Sequence, residues 1–163
     1  YILAYDPYPD QQLEAIGVKY VPLEELYANA DIISLHCPLT PENRHLINGE
    51  SLQRMKKGVT LINTSSGALI NTNDVIDGLK TKKIGALAID VYEQEEKLFF
   101  KDLSGTIIED DILQRLMSFP NVLVTGHQAF FTQEALTQIA QTTLLNIREL
   151  GNGLPVSTPN ALL

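Results

Sequence analysis

One cysteine, Cys37, stands in the whole chain, and tryptophan is absent. A single thiol cannot close an internal disulfide, which points to a reducing, cytoplasmic setting. No apolar run approaches the roughly 18 residues a membrane-spanning helix needs, and no signal-peptide pattern opens the sequence. Basic residues are outnumbered 12 to 20 and the formal charge is −8. This argues against a nucleic-acid or anionic-membrane surface, which a basic patch would mark. His36 and His45 stand at no metal-ligand spacing with other His or Cys residues, so no metal site is expected. Repeats and low-complexity tracts are missing. Nowhere does G-x-G-x-x-G occur.

What is present is an ordinary globular composition, 44% hydrophobic and 20% charged over 163 residues, enough for one domain with a core or a small domain plus an appendage. Short apolar runs alternate with helical segments. Strands are expected at 2–5, 18–21, 31–35, 59–62, 84–89 and 121–125, and helices at 11–16, 23–28, 48–55, 73–80, 110–117 and 132–150. The runs at 31–35 and 59–62 read as buried strands. Residues 96–106, including Phe99 and Phe100, read as a long excursion, and 155–163 as an extended tail. Alternation at this spacing predicts an α/β fold with a doubly wound parallel sheet. The opening run Tyr1 to Tyr5 reads as a strand already in progress, so the chain is expected to be a C-terminal fragment.

In such a sheet, ligand groups gather at the carboxyl ends of the strands. Five strand ends carry chemistry here: Asp6, the Cys37-Pro38 loop, Thr64 to Ser66, Asp90 and His127. Asp6, before Pro7, fits two readings, a turn aspartate or the acid that binds adenosine ribose hydroxyls. In the second reading its charge would repel a 2′-phosphate and favour NAD over NADP. The loop from His36 to Asn43 is fixed by Pro38 and Pro41 and reads either as a structural turn or as the lining of a cofactor cleft. In VTLINTSSGALI, residues 59–70, short polar side chains follow the strand, so a ligand could approach the backbone there. Glu95 and His127 lie near neighbouring strand ends. A carboxylate beside an imidazole favours its charged form, as an acid/base couple requires. A core histidine is the alternative for His127.

Together these segments resemble the NAD-dependent D-2-hydroxyacid dehydrogenases, most closely the D-lactate dehydrogenase branch. The resemblance is carried by AYDPYP, DIISLHCPLTPENRHLIN, LINTSSGALI, ALAIDVYEQE, LFFKDLSGTIIEDDILQRL and VLVTGHQAFFTQEAL, which span nearly the whole chain in the family's order. It implies a Rossmann-type NAD-binding domain over 1–130, lacking its first strand and Gly-rich turn, and a helix and tail of the substrate domain over 131–163. It further implies NAD as cofactor, a small 2-keto or 2-hydroxy acid such as pyruvate or D-lactate as substrate, and a homodimer or higher homo-oligomer.

By residue, the resemblance makes His127 the proton donor to the substrate ketone and Glu95 its carboxylate partner. Asp6 becomes the ribose acid. Cys37, Pro38 and Asn43 lie along the cofactor, Thr64 and Ser65 beneath the nicotinamide side, and Asp90 near the carboxamide. Phe130 packs by the substrate's small side chain. One position departs: Ser66 stands where the family has the Arg that holds the substrate carboxylate. A guanidinium offers two charged donors and a serine hydroxyl one neutral donor, so impaired turnover is expected. A non-catalytic module that senses NAD(H) or binds a partner is the alternative.

Overall fold

A computed structural model describes residues 1–95, 105 and 107–155. The excursion expected over 96–106, with Phe99 and Phe100, lies outside the described residues apart from Gly105, as does the tail from Val156. The chain forms two compact units, Tyr1–His127 and Gln128–Leu163.

In the first unit the order is β1 (Ile2–Ala4), α1 (Gln11–Ala15), β2 (Val18–Tyr20), α2 (Leu23–Asn29), β3 (Ile32–Leu35), α3 (Gly49–Arg54), β4 (Val59–Asn63), α4 (Thr72–Lys80), β5 (Ile84–Ile89), α5 (Asp111–Met117) and β6 (Val122–Val124). The strands make a two-stranded sheet, β1-β2, and a four-stranded sheet in the order β3-β4-β5-β6, with every pairing parallel. Parallel neighbours require a crossover, and the helices supply it.

Side chains alternate across a strand, so one register row shows what the sheet covers. Ile33, Leu61 and Leu87 share a row and are buried with Leu35 and Ile89 of the next. They pack against Tyr27 of α2, Leu52 of α3, Val75, Ile76 and Leu79 of α4, and Leu116 of α5. Burial of this apolar face is the main stabilising term of the unit.

The strand expected at 31–35 differs from the reading in one respect. It is the edge of its sheet, and only alternate residues are buried: Ile33 and Leu35 are covered, whereas Ile32 is 63% exposed. Asp31, just before it, pairs with Lys56 at 2.8 Å. The helix expected from Asn73 begins one residue earlier, because Asn71 is its cap and accepts from the Asp74 amide. Asn48 caps α3 through a reciprocal capping box with Ser51.

The second unit contains α6 (Gln133–Gly151), capped by Thr132, whose hydroxyl accepts from the Ala135 amide. None of its residues is buried, and Leu136, Ile139, Leu144, Ile147 and Leu150 are exposed. Among the described residues no helix is long and apolar enough to cross a membrane.

Candidate active site

The carboxyl ends of β3 to β6 are stitched together by short bonds. Asn63, the last residue of β4, is fully buried; its amide nitrogen donates to the Ser66 carbonyl at 2.8 Å and its side-chain oxygen accepts from the Ser65 amide at 3.1 Å. It thereby satisfies two backbone groups of the turn that leaves the strand. The Ser65 hydroxyl donates to the Cys37 carbonyl at 2.6 Å, tying this turn to the loop after β3. In that loop, Asn43 accepts from the Thr40 amide at 2.7 Å and donates to the Pro38 carbonyl at 2.8 Å. The Asn43 amide nitrogen also lies 3.9 Å from Cys37 Sγ. Together with Pro38 and Pro41, these bonds hold the loop in one course.

The next strands join the same edge. The Asp90 amide donates to the Asn63 carbonyl at 3.0 Å, and the His127 amide to the Asp90 carbonyl at 2.7 Å. Asp90 is 4% exposed, and its carboxylate accepts from the Thr125 hydroxyl. A buried carboxylate is tolerated only when hydrogen bonded. His127 has a left-handed backbone, φ 55°, as do His45 and Lys82. That conformation is costly for a residue with a Cβ and persists where the surroundings fix it.

His127 Nδ1 lies 3.1 Å from Glu95 Oε1, with side chains 38% and 23% exposed. The other Glu95 oxygen accepts from the Tyr92 amide at 3.0 Å. Tyr92 itself is buried, and its hydroxyl donates to Asp110, the cap of α5, at 3.0–3.1 Å. Burial, reinforced by that carboxylate, pushes the Tyr92 phenol above its ordinary range.

Glu95 and His127 are thus brought together, as are Ser65 with Cys37 and Asp90 with the strand ends on both sides. Thr64 is exposed, and Ser66 is partly covered, its carbonyl used by Asn63 and by the Leu69 amide. Asp6 is exposed at the end of β1, in the other sheet, where it accepts from the Tyr8 amide at 2.7 Å. That bond is a turn contact; the carboxylate's exposure is also what a ribose acid needs. Phe130 belongs to the second unit, where its ring meets Phe131 edge-on at 6.2 Å.

Three contributors went unread in the sequence. Glu93 binds His45 and Arg44, 48 and 49 residues away, pairs that local spacing does not reveal. Thr125, read only as a strand end, supports Asp90. Gly67 makes room for a close approach: a Cβ there would lie 2.2 Å from the Tyr92 carbonyl carbon.

For a dinucleotide, the fit rests on the parallel carboxyl edge, its small exit residues at 63–67, the pinned loop at 37–43 and the exposed Asp6 carboxylate. Among the described residues no group of three His, Cys, Asp or Glu is arranged to hold a metal ion.

Parallel strands with helical crossovers and a polar cluster at one sheet edge define a Rossmann-type nucleotide-binding domain. The family model for the D-isomer specific 2-hydroxyacid dehydrogenase NAD binding domain matches residues 1–129, and the chain belongs to that family. It is 57% identical over 152 residues to a 2-hydroxyacid dehydrogenase homolog of Haemophilus influenzae, covering 93% of this chain and 46% of that protein. It is 52% identical over 162 residues to D-lactate dehydrogenase of Escherichia coli, covering 99% of this chain and 49% of the relative. Among solved structures, the pyruvate reductase of Chlamydomonas reinhardtii superposes with a TM-score of 0.92 at 47% identity, over 96% of this chain and 48% of that one. The chain spans about half the length of these relatives.

Proposed function

We propose that this chain is the NAD-binding half of an oxidoreductase that interconverts a small 2-keto acid and its D-2-hydroxy acid, pyruvate and D-lactate being the expected pair. The observation that carries the reading is the 3.1 Å pair of His127 Nδ1 and Glu95 Oε1 at the carboxyl edge of the sheet. NAD(H), when bound, supplies or accepts the hydride. With Nδ1 on Glu95, proton exchange with the substrate oxygen falls to His127 Nε2, and Glu95 sets the ring's tautomer and orientation.

The supporting roles follow the strand ends. Asp6 receives the ribose hydroxyls; Cys37, Pro38 and Asn43 line the cofactor's course; Thr64, Ser65 and Asp90 surround the nicotinamide end. Phe130 packs by the substrate side chain. Residues 1–130 form the nucleotide domain and 131–163 a helix and tail of the substrate domain, in a protein that is a cytoplasmic homodimer or higher homo-oligomer. Support for the last assignments is the single cysteine and the exposed apolar face of α6.

Position 66 favours a second reading. Serine cannot grip a carboxylate as the family's arginine does, and a domain that binds NAD(H) without turnover fits that loss. NADH fluorescence on titration with the chain, followed by NADH consumption with pyruvate in a chimera that carries the N-terminal half of the Escherichia coli relative ahead of it, separates them. Binding with slow consumption supports the oxidoreductase and binding alone supports the sensor. No NADH binding contradicts both.

A further inference from the structure

Outside the pair just described, a second charged cluster among the described residues is built on Glu93. Its Oε1 faces His45 Nε2 at 2.6 Å and accepts from Arg44 Nη2 at 3.3 Å, while Oε2 accepts from the Thr72 hydroxyl at 3.3 Å. One carboxylate therefore joins the loop before α3, the first residue of α4 and the segment leaving β5. The loop is tied to the same place from the other side, since the His45 amide donates to the Ala68 carbonyl at 2.8 Å. His45 holds a left-handed backbone, φ 55°, to make this arrangement.

Glu93 is also the second residue of a tight turn whose last residue is Glu95. The turn is closed twice: the Glu95 amide donates to the Tyr92 carbonyl at 3.2 Å, and the Tyr92 amide donates back to Glu95 Oε2 at 3.0 Å. Val91 and Tyr92 anchor its first half in the core. Gly67 lies against its backbone so closely that an added Cβ would stand 2.3 Å from the Tyr92 oxygen and 2.5 Å from the Glu93 nitrogen. Beyond Tyr92, the side chain that fixes the turn to its surroundings is Glu93, and the one it presents to His127 is Glu95.

From this geometry we infer that Glu93, clasped by His45, Arg44 and Thr72, is a positioning residue: it sets the 92–95 turn so that the Glu95 carboxylate meets His127 Nδ1. Among the described residues its carboxylate bonds to His45, Arg44 and Thr72, and the one that meets His127 is Glu95. Glu93 acts through two peptide units and one hydrogen-bonded turn. A carboxylate partly shielded from water and bonded to several donors holds a turn more firmly than a single exposed pair does. The role assigned to the Glu95–His127 pair rests on the oxidoreductase reading; the mechanical link between Glu93 and that pair does not.

The test uses the full 163-residue chain, labelled with nitrogen-15, and long-range proton–nitrogen spectra of its three imidazoles. Glu95→Ala gives the reference change in the His127 ring nitrogens when the carboxylate is gone. In Glu93→Ala the expected result is a His127 change of at least half that size, with amide exchange at Glu95 and His127 about tenfold faster. Glu93→Asp, which keeps the charge, should restore part of both, as a positioning role requires. Where Glu93→Ala does not give a native amide spectrum, Glu93→Gln is read the same way. If the His45 signals move while those of His127 and the two amides coincide with wild type, Glu93 only holds the 43–47 loop and the inference is overturned. Because no readout depends on turnover, loss of the oxidoreductase reading through absent NADH binding would leave this result to be judged separately.

Discussion

The Ser65 hydroxyl donates to the Cys37 carbonyl across 2.6 Å, fastening the exit of β4 to the exit of β3. Two neighbouring strand ends are thereby held in one register above the sheet. Ser65→Ala removes the donor and leaves a partly buried carbonyl without it, which costs about 0.5–1.5 kcal/mol. The urea midpoint should fall accordingly, and NADH should bind more weakly, because the loop at 37–43 loses its tether. Unchanged NADH affinity in a destabilised variant would remove that loop from the proposed cofactor site.

Asn63 supports the same turn from below. Asn63→Ala strips one donor and one acceptor from a fully buried position, leaving the Ser65 amide without its partner and the Ser66 carbonyl with the Leu69 amide alone. A loss of about 1–3 kcal/mol is expected, the range for one unsatisfied group. Equilibrium unfolding in urea measures it.

At Gly67 the exit of β4 packs against the exit of β5 with no room for a side chain. Gly67→Ala pushes a methyl group onto the Tyr92–Glu93 peptide, where the obstruction is backbone and cannot rotate away. The cost should reach about 3 kcal/mol, the upper end for overpacking. Gly49→Ala, whose Cβ would meet only the Asp74 carboxyl at 3.7–3.9 Å, should stay within about 0.5 kcal/mol of wild type. Thermal or urea unfolding of the pair decides whether close approach explains Gly67.

Alkaline titration probes the helical side of the core. Burial, with Glu24 adding to it, raises the Tyr27 phenol to about 12. The unfolded chain releases that proton near 10, so between about pH 10 and 12 the unfolded state loses it first. Tyr27's contribution to stability is complete below about pH 10 and declines as pH rises towards 12. In Tyr27→Phe the decline should be shallower over that window. Equal slopes for both proteins would contradict the burial argument.

The sequence made much of this legible, and the exceptions share a cause. The helix starts near Asn48, Asp110 and Thr132, and the ends of β4 and β5, follow from local chemistry: helical apolar spacing that begins there, and small polar clusters where apolar runs stop. That Asp110 and Thr132 are caps rather than first helical residues is seen in the structure. Ile32 was misread because an aliphatic run looks the same on an edge strand as in a sheet's centre; exposure depends on which strand lies beside it. At N-T-N, residues 71–73, two asparagines compete to cap α4, and the choice falls to the one whose side chain reaches Asp74. His45 and Glu93, and Gly67 against Tyr92, meet only in three dimensions. Strand-end residues were readable because the parallel α/β plan itself says where such ends converge.

The central claim is that Glu95 and His127 form the acid/base couple of a dehydrogenase whose substrate grip is weakened at position 66. Its most direct test is kcat/KM for pyruvate in a chimera carrying the N-terminal half of the Escherichia coli relative ahead of this chain. Restoring the guanidinium with Ser66→Arg should raise kcat/KM by about 100- to 1,000-fold, equivalent to roughly 2.7–4 kcal/mol of transition-state stabilisation. Adding His127→Gln should abolish that gain. Equal kcat/KM with Ser66 and Arg at this position, or a gain that survives the loss of His127, would contradict the account.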